Sequence, residues 1–318
     1  MTNIYTLEQI KSVSGTIDIA PLIEHGFAAY SAGRVVVPPV GELSFISPPG
    51  DTHIKYGYTR GDDCFVVKIA SGFYDNPALG LPSNSGLMLV FSQNTGMLQA
   101  ILLDEGYLTD VRTAVAGRVA AKYLAPEKVE AIGIVGTGVQ ARMQAVELKA
   151  ETDCRKLIVW GRSEDRLAAY KRDMEQEGFS VETTLDTARV AAGCNVIVTA
   201  TPAREPVLKA DDVRPGTHIT AMGSDTPAKQ ELDSRILERA DLVVADSLAQ
   251  CLERGEIARA VNAGCVDKGG IVELGRIIRG DAPGRTDEAQ ITVADLTGVA
   301  VQDIQIAKAV SDALSMEK

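Results

Sequence analysis

The chain has 318 residues, of which 45% are hydrophobic and 24% are charged, a composition typical of a globular protein large enough for two domains. Its formal net charge of −11 argues against nucleic acid and anionic membrane surfaces as partners. The five cysteines lack CxxC spacing, the three histidines lack metal-binding spacing, and the start lacks a signal-peptide pattern, so we expect a cytoplasmic protein without a metal site.

The first third of the chain predicts helix followed by short strands. Residues 5 to 32 have helical periodicity, and β-rich runs such as "CFVVKIASGF" and "GLMLVFSQ" follow between turn residues. The spacing of these runs indicates antiparallel pairs. From about residue 108 an alanine-rich helix is predicted, and Pro126 ends it.

The pattern after Pro126 is different. Continuous apolar strands such as "VEAIGIVG" and "NVIVTATP" alternate with helices, which indicates a parallel sheet covered on both faces. A last strand and a long amphipathic helix are predicted to pack back onto the first domain. We therefore predict an α/β fold in which a Rossmann doubly wound parallel sheet, residues 123–295, is inserted in a discontinuous α+β domain, residues 1–122 plus 296–318.

A glycine-rich turn follows the first of these strands. Gly136-Thr-Gly138-Val-Gln-Ala141 fits the GxGxxG/A pattern, in which the first glycine permits the turn and the second lets the backbone approach a pyrophosphate. The turn lies between a strand and a helix, and a second strand follows, so the context predicts a dinucleotide site. The alternative, a glycine-rich turn without a ligand, is disfavoured by that context.

The end of the second strand bears on the choice of nucleotide. An NAD site usually has Asp or Glu there for the ribose 2′-hydroxyl, whereas an arginine accommodates a 2′-phosphate. Here the strand ends in Gly161, Arg162 and Ser163, which favours NADP. Ser163 and backbone donors are also compatible with NAD, so both NAD and NADP remain candidates.

Three residues are candidates for chemistry. Lys68 shares one face of its strand with Cys64 and Val66, and a lysine on an apolar face is costly unless it is paired or functional. Arg112 lies near the start of the alanine-rich helix, where a guanidinium can bind a carboxylate. Asp225 follows a predicted parallel strand, at the end where ligands bind. The structural alternatives are an edge lysine whose ammonium extends to solvent, an ion pair of Arg112 with Asp110 or Asp104, and a role of Asp225 as N-cap of the following turn.

Taken together, the motifs resemble the ornithine cyclodeaminase/mu-crystallin family. They are "LTDVRTAVAG", "GIVGTGVQAR", "TATP", "GSDTPAKQEL", "GVAVQD" and a lysine strand followed by "GF" and "LGLPS". The motifs occur in the family's order over about residues 30 to 312. The resemblance implies that the first domain binds the substrate and forms a homodimer.

The resemblance also implies roles for individual residues. Lys68 would lie beside the substrate imine or amine, Arg112 would bind its carboxylate, and Asp225 would be the acid/base or ammonium partner. Ser83 would occupy a substrate-pocket position. The residues expected to contact the cofactor, with Arg162 and Ser163, are Thr113, Gly136, Gly138, Val139, Gln140 and Thr201.

One departure from the family pattern concerns the substrate carboxylate. Many members have a second carboxylate-binding arginine where this chain has Gly41. His53 and Lys55 share one face of the next strand, and Arg60 ends it, so replacement cations are available, with Lys55 the preferred one. A solvated edge residue is the alternative for Lys55.

The chemistry that these parts imply is hydride transfer between a nicotinamide and the α-carbon of an imino or amino acid. The segments around Gly41 and "LLDEGYLTDVRTA" look most like the iminosuccinate reductase and ectoine-utilisation branch, so we predict reduction of iminosuccinate to aspartate. The alternatives are an ornithine cyclodeaminase, in which Glu42 or Asp51 would face the distal ammonium, a cyclic ketimine reductase or alanine-type dehydrogenase, and a non-catalytic crystallin-like binder.

Overall fold

The computed structural model describes residues 2–73 and 75–316, which form two compact units. Unit 1 contains the described residues of the ranges 1–113 and 299–318, and unit 2 contains residues 114–298. Unit 1 is therefore built from two segments that are separated in the sequence by the whole of unit 2. The domain boundaries expected at 122/123 and 295/296 stay a prediction.

Helices and strands follow one another closely along the described chain. Up to residue 124 they are β1 (Asn3–Tyr5), α1 (Leu7–Ser14), α2 (Ala20–Ser31), β2 (Val35–Val36), β3 (Gly41–Phe45), β4 (Gly50–Thr59), β5 (Cys64–Phe73), β6 (Asn84–Ser92), β7 (Leu98–Leu102) and α3 (Tyr107–Leu124). Then follow β8 (Ile132–Val135), α4 (Val139–Glu147), β9 (Lys156–Trp160), α5 (Glu164–Gln176), β10 (Ser180–Thr184), α6 (Thr187–Gly193), β11 (Val196–Thr199), β12 (His218–Ala221), α7 (Ser234–Arg239), β13 (Leu242–Ala245), α8 (Leu248–Cys251), α9 (Gly255–Asn262), β14 (Val272–Glu273), α10 (Leu274–Ile278), β15 (Thr292–Asp295) and α11 (Ala300–Met316).

Unit 1 is a sheet with helices. Its strands are ordered β1-β7-β6-β5-β4-β2, and β3 also pairs with β4. The pairs from β2 to β7 are antiparallel, as the spacing of the β-rich runs predicted. The short β1 pairs in parallel with β7 and was not predicted, because three residues are too few to show a strand period.

The two faces of the unit 1 sheet differ in burial. Cys64, Val66 and Lys68 of β5 are buried, while the residues between them are half-exposed. The predicted alternation is therefore confirmed. Helix α11 packs on β4, β5 and β6, and an ion pair joins Lys68 to Asp303 of this helix, so the buried face is the face that α11 covers.

Unit 2 is the predicted Rossmann sheet. All eight strands are parallel, in the order β10-β9-β8-β11-β12-β15-β13-β14. The chain moves outward from β8 through β9 to β10 and then returns to β11 on the other side of β8. This reversal is the topological switch point at which doubly wound sheets bind ligands.

Close packing of helices on the unit 2 sheet depends on small residues. A Cβ atom at Gly133 of β8 would lie 2.6 Å from Val190 Cγ1 and 3.2 Å from Cys194 Cβ, so glycine allows α6 to pack directly on this strand. Within the described part of the chain, no helix combines the length and the apolar character that crossing a membrane requires.

Candidate functional site

Unit 2 contains a cavity of about 570 Å³ at the switch point between β8 and β11. Its lining comes mainly from the turns that follow β8, β9 and β11. Five of the residues expected at the cofactor line this cavity together: Gly136, Gly138, Arg162, Ser163 and Thr201.

The two glycines of the first turn fit a pyrophosphate for different reasons. Gly136 has a φ of 129°, which side chains rarely adopt, and a Cβ there would lie 2.6 Å from the carbonyl oxygen of Ala200. Gly138 caps α4, and a Cβ there would meet no described atom within 4 Å. The backbone at Gly138 therefore faces open space at the start of a helix, where phosphate groups bind.

The turn after β9 makes the cavity positively charged. Arg162 and Arg166 are the charged side chains among the described residues that line it, and Ser163 caps α5 by accepting a hydrogen bond from the backbone of Arg166. Arg166 was not singled out from the sequence. The turn thus presents guanidinium groups where an NAD site commonly has a carboxylate.

The other residues expected at the cofactor lie elsewhere. Val139 and Gln140 form the first turn of α4, and Val139 is 56% exposed. Neither is among the described residues that line the cavity. Thr113 belongs to unit 1, where its hydroxyl donates a hydrogen bond of 2.7 Å to the carbonyl oxygen of Thr109.

Unit 1 contains a buried group of charged side chains centred on Asp303. The Nζ atom of Lys68 lies 3.2 and 3.1 Å from the two carboxylate oxygens of Asp303. The Nε atom of Arg112 lies 3.0 Å from Oδ1 of the same residue, and its Nη1 donates to Gln302 Oε1 at 2.9 Å. Lys68 is 2% exposed and Arg112 is 5% exposed. The edge-lysine interpretation of Lys68 is therefore wrong, and the ion pair of Arg112 is with a helix residue distant in sequence.

Lys55 joins the same group from the neighbouring strand. It stands directly opposite Lys68 in the register of β4 and β5, so both side chains lie on one face of the sheet, and it is 5% exposed. The solvated-edge interpretation is wrong for Lys55 too. His53, two residues earlier, is also buried, whereas Arg60 is exposed.

The pKa values of Lys68 and Asp303 are both lowered in this group, for different reasons. Burial lowers the pKa of Lys68 to about 7, with the charge of Arg112 acting in the same direction and Asp303 opposing both. Burial alone would raise the pKa of Asp303, but the charges of Lys68, Arg112 and Lys55 hold it below the ordinary value. Asp303 is thus ionised at neutral pH, while Lys68 is poised to gain or lose a proton.

The structure places the two remaining predicted residues as follows. Ser83 is half-buried just before β6, and its carbonyl oxygen accepts a hydrogen bond from the backbone of Phe73. Asp225 lies in unit 2 in the loop after β12, where its carboxylate accepts a 2.6 Å hydrogen bond from Lys229.

Asp303 and Gln302 were not singled out from the sequence. Both belong to the "GVAVQD" motif, so the signal was present as part of the resemblance. A polar pair at the start of an amphipathic helix is not distinctive by local pattern, and only the fold brings it to Lys68. Among the described residues, no group of three His, Cys, Asp or Glu side chains is arranged to hold a metal ion.

Comparison with known sequences matches the whole chain to one family. The profile of the ornithine cyclodeaminase/mu-crystallin family matches residues 1–318. An uncharacterized cyclodeaminase of Sinorhizobium fredii is 42% identical over 92% of this chain and 89% of its own length. The iminosuccinate reductase of Paracoccus denitrificans is 34% identical over 82% of each chain.

Two solved structures of similar fold also match nearly the whole chain. An archaeal alanine dehydrogenase dimer with bound NAD matches with a TM-score of 0.91 at 33% identity, covering 99% of this chain and 97% of its own. The Δ1-pyrroline-2-carboxylate reductase of Thermococcus litoralis, in complex with NADH and L-proline, matches with a TM-score of 0.92 at 26% identity, covering 99% and 98%.

Proposed function

Since the chain belongs to the ornithine cyclodeaminase/mu-crystallin family, we propose that it reduces a small imino acid, with iminosuccinate as substrate and L-aspartate as product. The chain is an NAD(P)-dependent oxidoreductase of the class that acts on CH–NH and CH–NH2 groups, in keeping with relatives named as reductases and dehydrogenases. The observation that supports this substrate best is the buried charge of unit 1.

Three cations belong to that group. Lys55, Lys68 and Arg112 are all buried beside one ionised carboxylate, Asp303. Asp104 is a further carboxyl group that interacts with Lys68; burial raises its pKa, while backbone hydrogen bonds and the charge of Lys68 oppose that rise. Buried charge costs free energy unless a counter-charge balances it. Lys55 and Arg112 lie on different elements of this group, so they can contact the two carboxylates of one dicarboxylic substrate.

Each cation then has a distinct part in substrate binding. Arg112 binds the carboxylate next to the reacting carbon, which fixes that carbon in position. Lys55, on the neighbouring strand, binds the distal carboxylate. Asp303 orients Lys68 and Arg112, since its Oδ1 contacts both side chains and its Oδ2 contacts Lys68.

The proton transfer belongs to Lys68, with Asp225 as the second proton carrier implied by the family. When bound, a reduced nicotinamide would supply the hydride for the imine carbon. The imine nitrogen takes one proton, which Lys68 donates, and the products are an amine and the oxidised cofactor. A group with a pKa of about 7 is suited to donate or accept that proton near neutral pH.

The cavity of unit 2 holds the cofactor in this proposal. Gly136 and Gly138 would lie against the pyrophosphate, and Thr201 would form part of the opposite wall. Arg162 and Arg166 would accept a 2′-phosphate, so we expect NADPH to be used at least as well as NADH. All five cysteines are free, which supports a cytoplasmic location as part of the same proposal.

A homodimer is the assembly we propose, formed through the sheet face of unit 1 that α11 does not cover. This face carries three cross-strand rows of half-exposed or exposed apolar residues: Tyr58, Phe65 and Phe91; Tyr56, Val67 and Leu89; Ile54, Ile69 and Leu87. A continuous apolar face of this kind is typical of a protein interface. A second copy is the favoured occupant because the archaeal alanine dehydrogenase is described as a dimer.

A cyclodeaminase is the second candidate, because the relative from Sinorhizobium fredii carries that name. Ornithine has a distal ammonium in place of a carboxylate and would need a distal anion. Glu42 stands opposite His53 in the register of β3 and β4, and Asp51 is on the same face of β4 as His53. Either carboxylate would suit that ammonium.

A single assay separates these functions. Absorbance of the reduced nicotinamide is followed with oxaloacetate plus ammonium, with NADH and NADPH in parallel, and ornithine with NAD is tested beside it. We expect oxidation that requires both oxaloacetate and ammonium, with aspartate accumulating. Formation of proline and ammonia from ornithine, without reduction of the imine, would favour the cyclodeaminase and overturn the proposal.

The role of Lys55 is tested by Lys55→Met, with Lys55→Arg as the charge-retaining control. We expect Lys55→Met to raise KM for the imine of oxaloacetate about ten- to hundredfold, the range for a hydrogen bond between charged groups. KM for the imine of pyruvate, which has one carboxylate, should change little. An equal loss for both imines would exclude Lys55 as the distal carboxylate partner.

A further inference from the structure

Glu231 lies in the "GSDTPAKQEL" motif, is fully buried in unit 2, and has no part in the mechanism above. We propose that Glu231 is a positioning residue of the dinucleotide site, which holds the wall formed by residues 200–207 and the loop that carries Asp225. This inference rests on the proposed function, because it assigns the cavity of unit 2 to NAD(P)H.

The carboxylate of Glu231 joins the ends of two neighbouring strands. Its Oε1 accepts a 2.6 Å hydrogen bond from the backbone N–H of Thr201, just after β11. Its Oε2 accepts from the hydroxyl of Thr199 at 2.8 Å and from the N–H of Gly223, just after β12, at 2.8 Å. One side chain thus ties the carboxyl end of β11, where Thr201 lines the cavity, to the carboxyl end of β12.

Backbone groups of Gln230 and Glu231 hold the remainder of the wall, from Ala203 to Val207. The carbonyl oxygen of Glu231 accepts hydrogen bonds from the N–H groups of Val207 and Leu208, at 2.8 and 3.1 Å. The N–H of Gln230 donates to the carbonyl oxygen of Ala203 at 2.9 Å. Since Thr201, Ala203 and Val207 all line the cavity, the wall is held at both ends and in the middle by residues 230 and 231.

Glu231 also closes the loop that contains Asp225. The loop leaves β12 at Gly223 and returns at Glu231, and the hydrogen bond between these two residues joins its ends. A Cβ atom at Gly223 would lie 2.2 Å from the carbonyl oxygen of Thr201 and 2.6 Å from the Cδ atom of Glu231. The wall, the loop and the carboxylate are therefore packed with no room for a side chain between them.

The geometry requires an acceptor with two oxygens. Burial raises the pKa of Glu231 to about 6, and the hydrogen bonds from Thr199, Thr201 and Gly223 oppose that rise. The carboxylate form can serve all three donors. A glutamine cannot, because its NH2 group would face the N–H of either Thr201 or Gly223, and neither of these backbone donors can reverse.

Fluorescence of Trp160 provides a direct measurement of cofactor binding. It is the one tryptophan in the chain and lines the cavity. A reduced nicotinamide bound nearby quenches its emission, so titration with NADH or NADPH gives Kd without any substrate. The variants are Glu231→Gln and, as the matched control, Glu182→Gln on the edge strand β10, where the side chain is half-exposed and pairs with Arg189.

We expect Glu231→Gln to raise Kd for the reduced cofactor by about tenfold or more, the effect of one unpaired buried donor. Glu182→Gln should bind like the wild type. An unchanged Kd in folded Glu231→Gln would overturn the inference. The kinetic counterpart is a rise in KM for the cofactor together with a fall in kcat, because the Asp225 loop is held by the same carboxylate.

If Glu231→Gln does not fold, a substitution that removes fewer interactions provides the test. Thr199→Val removes only the hydroxyl partner of the carboxylate, and we expect a severalfold rise in Kd at a melting temperature close to that of the wild type. An unchanged Kd would overturn the inference. A wild type that binds NAD(P)H but reduces no imine would count against the proposed function alone, and a wild type that binds neither nucleotide would overturn both.

Discussion

At the scale of single residues, one carboxylate determines the state of the reactive group in unit 1. Asp303 is 0% exposed and contacts both Lys68 and Arg112. Without its charge, two buried cations would face each other at close range. Removal of one partner from a buried charged group is among the most destabilising substitutions, typically about 3–5 kcal/mol.

Asp303→Asn is therefore expected to lower the catalytic activity of the enzyme and to change the pKa of Lys68. The charge of Asp303 raises the pKa of Lys68, so its removal should lower that pKa below the value in the wild type. We expect kcat/KM to fall by about a hundredfold or more, as for the loss of a positioned acid. The pH dependence of kcat/KM measures the shift.

The control for this substitution is Asp62→Asn. Asp62 pairs with Lys308 in unit 1, and its side chain is 21% exposed. We expect its pH profile to match that of the wild type. If Asp303→Asn also kept the wild-type profile, Asp303 would not control the proton affinity of Lys68.

The pKa of Lys68 predicts opposite pH profiles for the two directions of the reaction. Imine reduction needs the protonated lysine as donor, so kcat/KM should fall as pH rises through about 7. Oxidation of aspartate needs the neutral lysine as acceptor, so kcat/KM should rise through the same pH. Lys68→Met should remove both pH dependences, the fall of kcat/KM for imine reduction and its rise for aspartate oxidation. The same sign in both directions would assign the proton transfer to another group.

At the scale of helices and strands, glycine decides how closely a helix approaches the unit 2 sheet. Gly133→Ala would place a methyl group 2.6 Å from the Cγ1 atom of Val190, which is fully buried. Since neither β8 nor α6 can move without disturbing its neighbours, we expect a loss of about 1–3 kcal/mol in the free energy of unfolding. Chemical denaturation measures the loss.

Gly15→Ala is the control for this packing effect. A Cβ atom at Gly15 would meet no described atom within 4 Å, and the residue has an ordinary φ of −71°. The free energy of unfolding should stay within about 0.5 kcal/mol of the wild type. Equal losses at both positions would mean that the effect of Gly133→Ala does not come from contact with α6.

At the scale of the whole molecule, the apolar face of unit 1 predicts the state of assembly. Leu89 lies in the central row, beside Val67 of β5. Leu89→Glu places a charge within the proposed interface, so the protein should become monomeric. Light scattering after size-exclusion chromatography measures the mass.

Leu185→Glu is the control for assembly. Leu185 is 57% exposed but belongs to unit 2, so this variant should remain a dimer. A monomeric wild type, or a dimeric Leu89→Glu, would exclude the proposed face. A dimer lost in both variants would point to a general effect of added charge.

The sequence by itself determined the features that repeat over short distances. The alternation of Cys64, Val66 and Lys68 fixed the two faces of β5, and the turn from Gly136 to Ala141 predicted a dinucleotide site in a parallel sheet. Both depend on neighbours in the chain, and a strand period or a βα turn is visible in about ten residues. The ordered motifs also identified the family, which the profile match over residues 1–318 confirms.

The tertiary structure alone decided which charges meet. Asp303 is 235 residues from Lys68 along the chain, and no local period links the two. The burial of Lys55 opposite Lys68 depends on the register of β4 and β5 and on the helix that covers them. Glu231 likewise depends on the adjacency of β11 and β12. A carboxylate acquires its partners and its pKa from contacts made only after the chain has folded, so its role cannot be predicted from the neighbouring residues in the sequence.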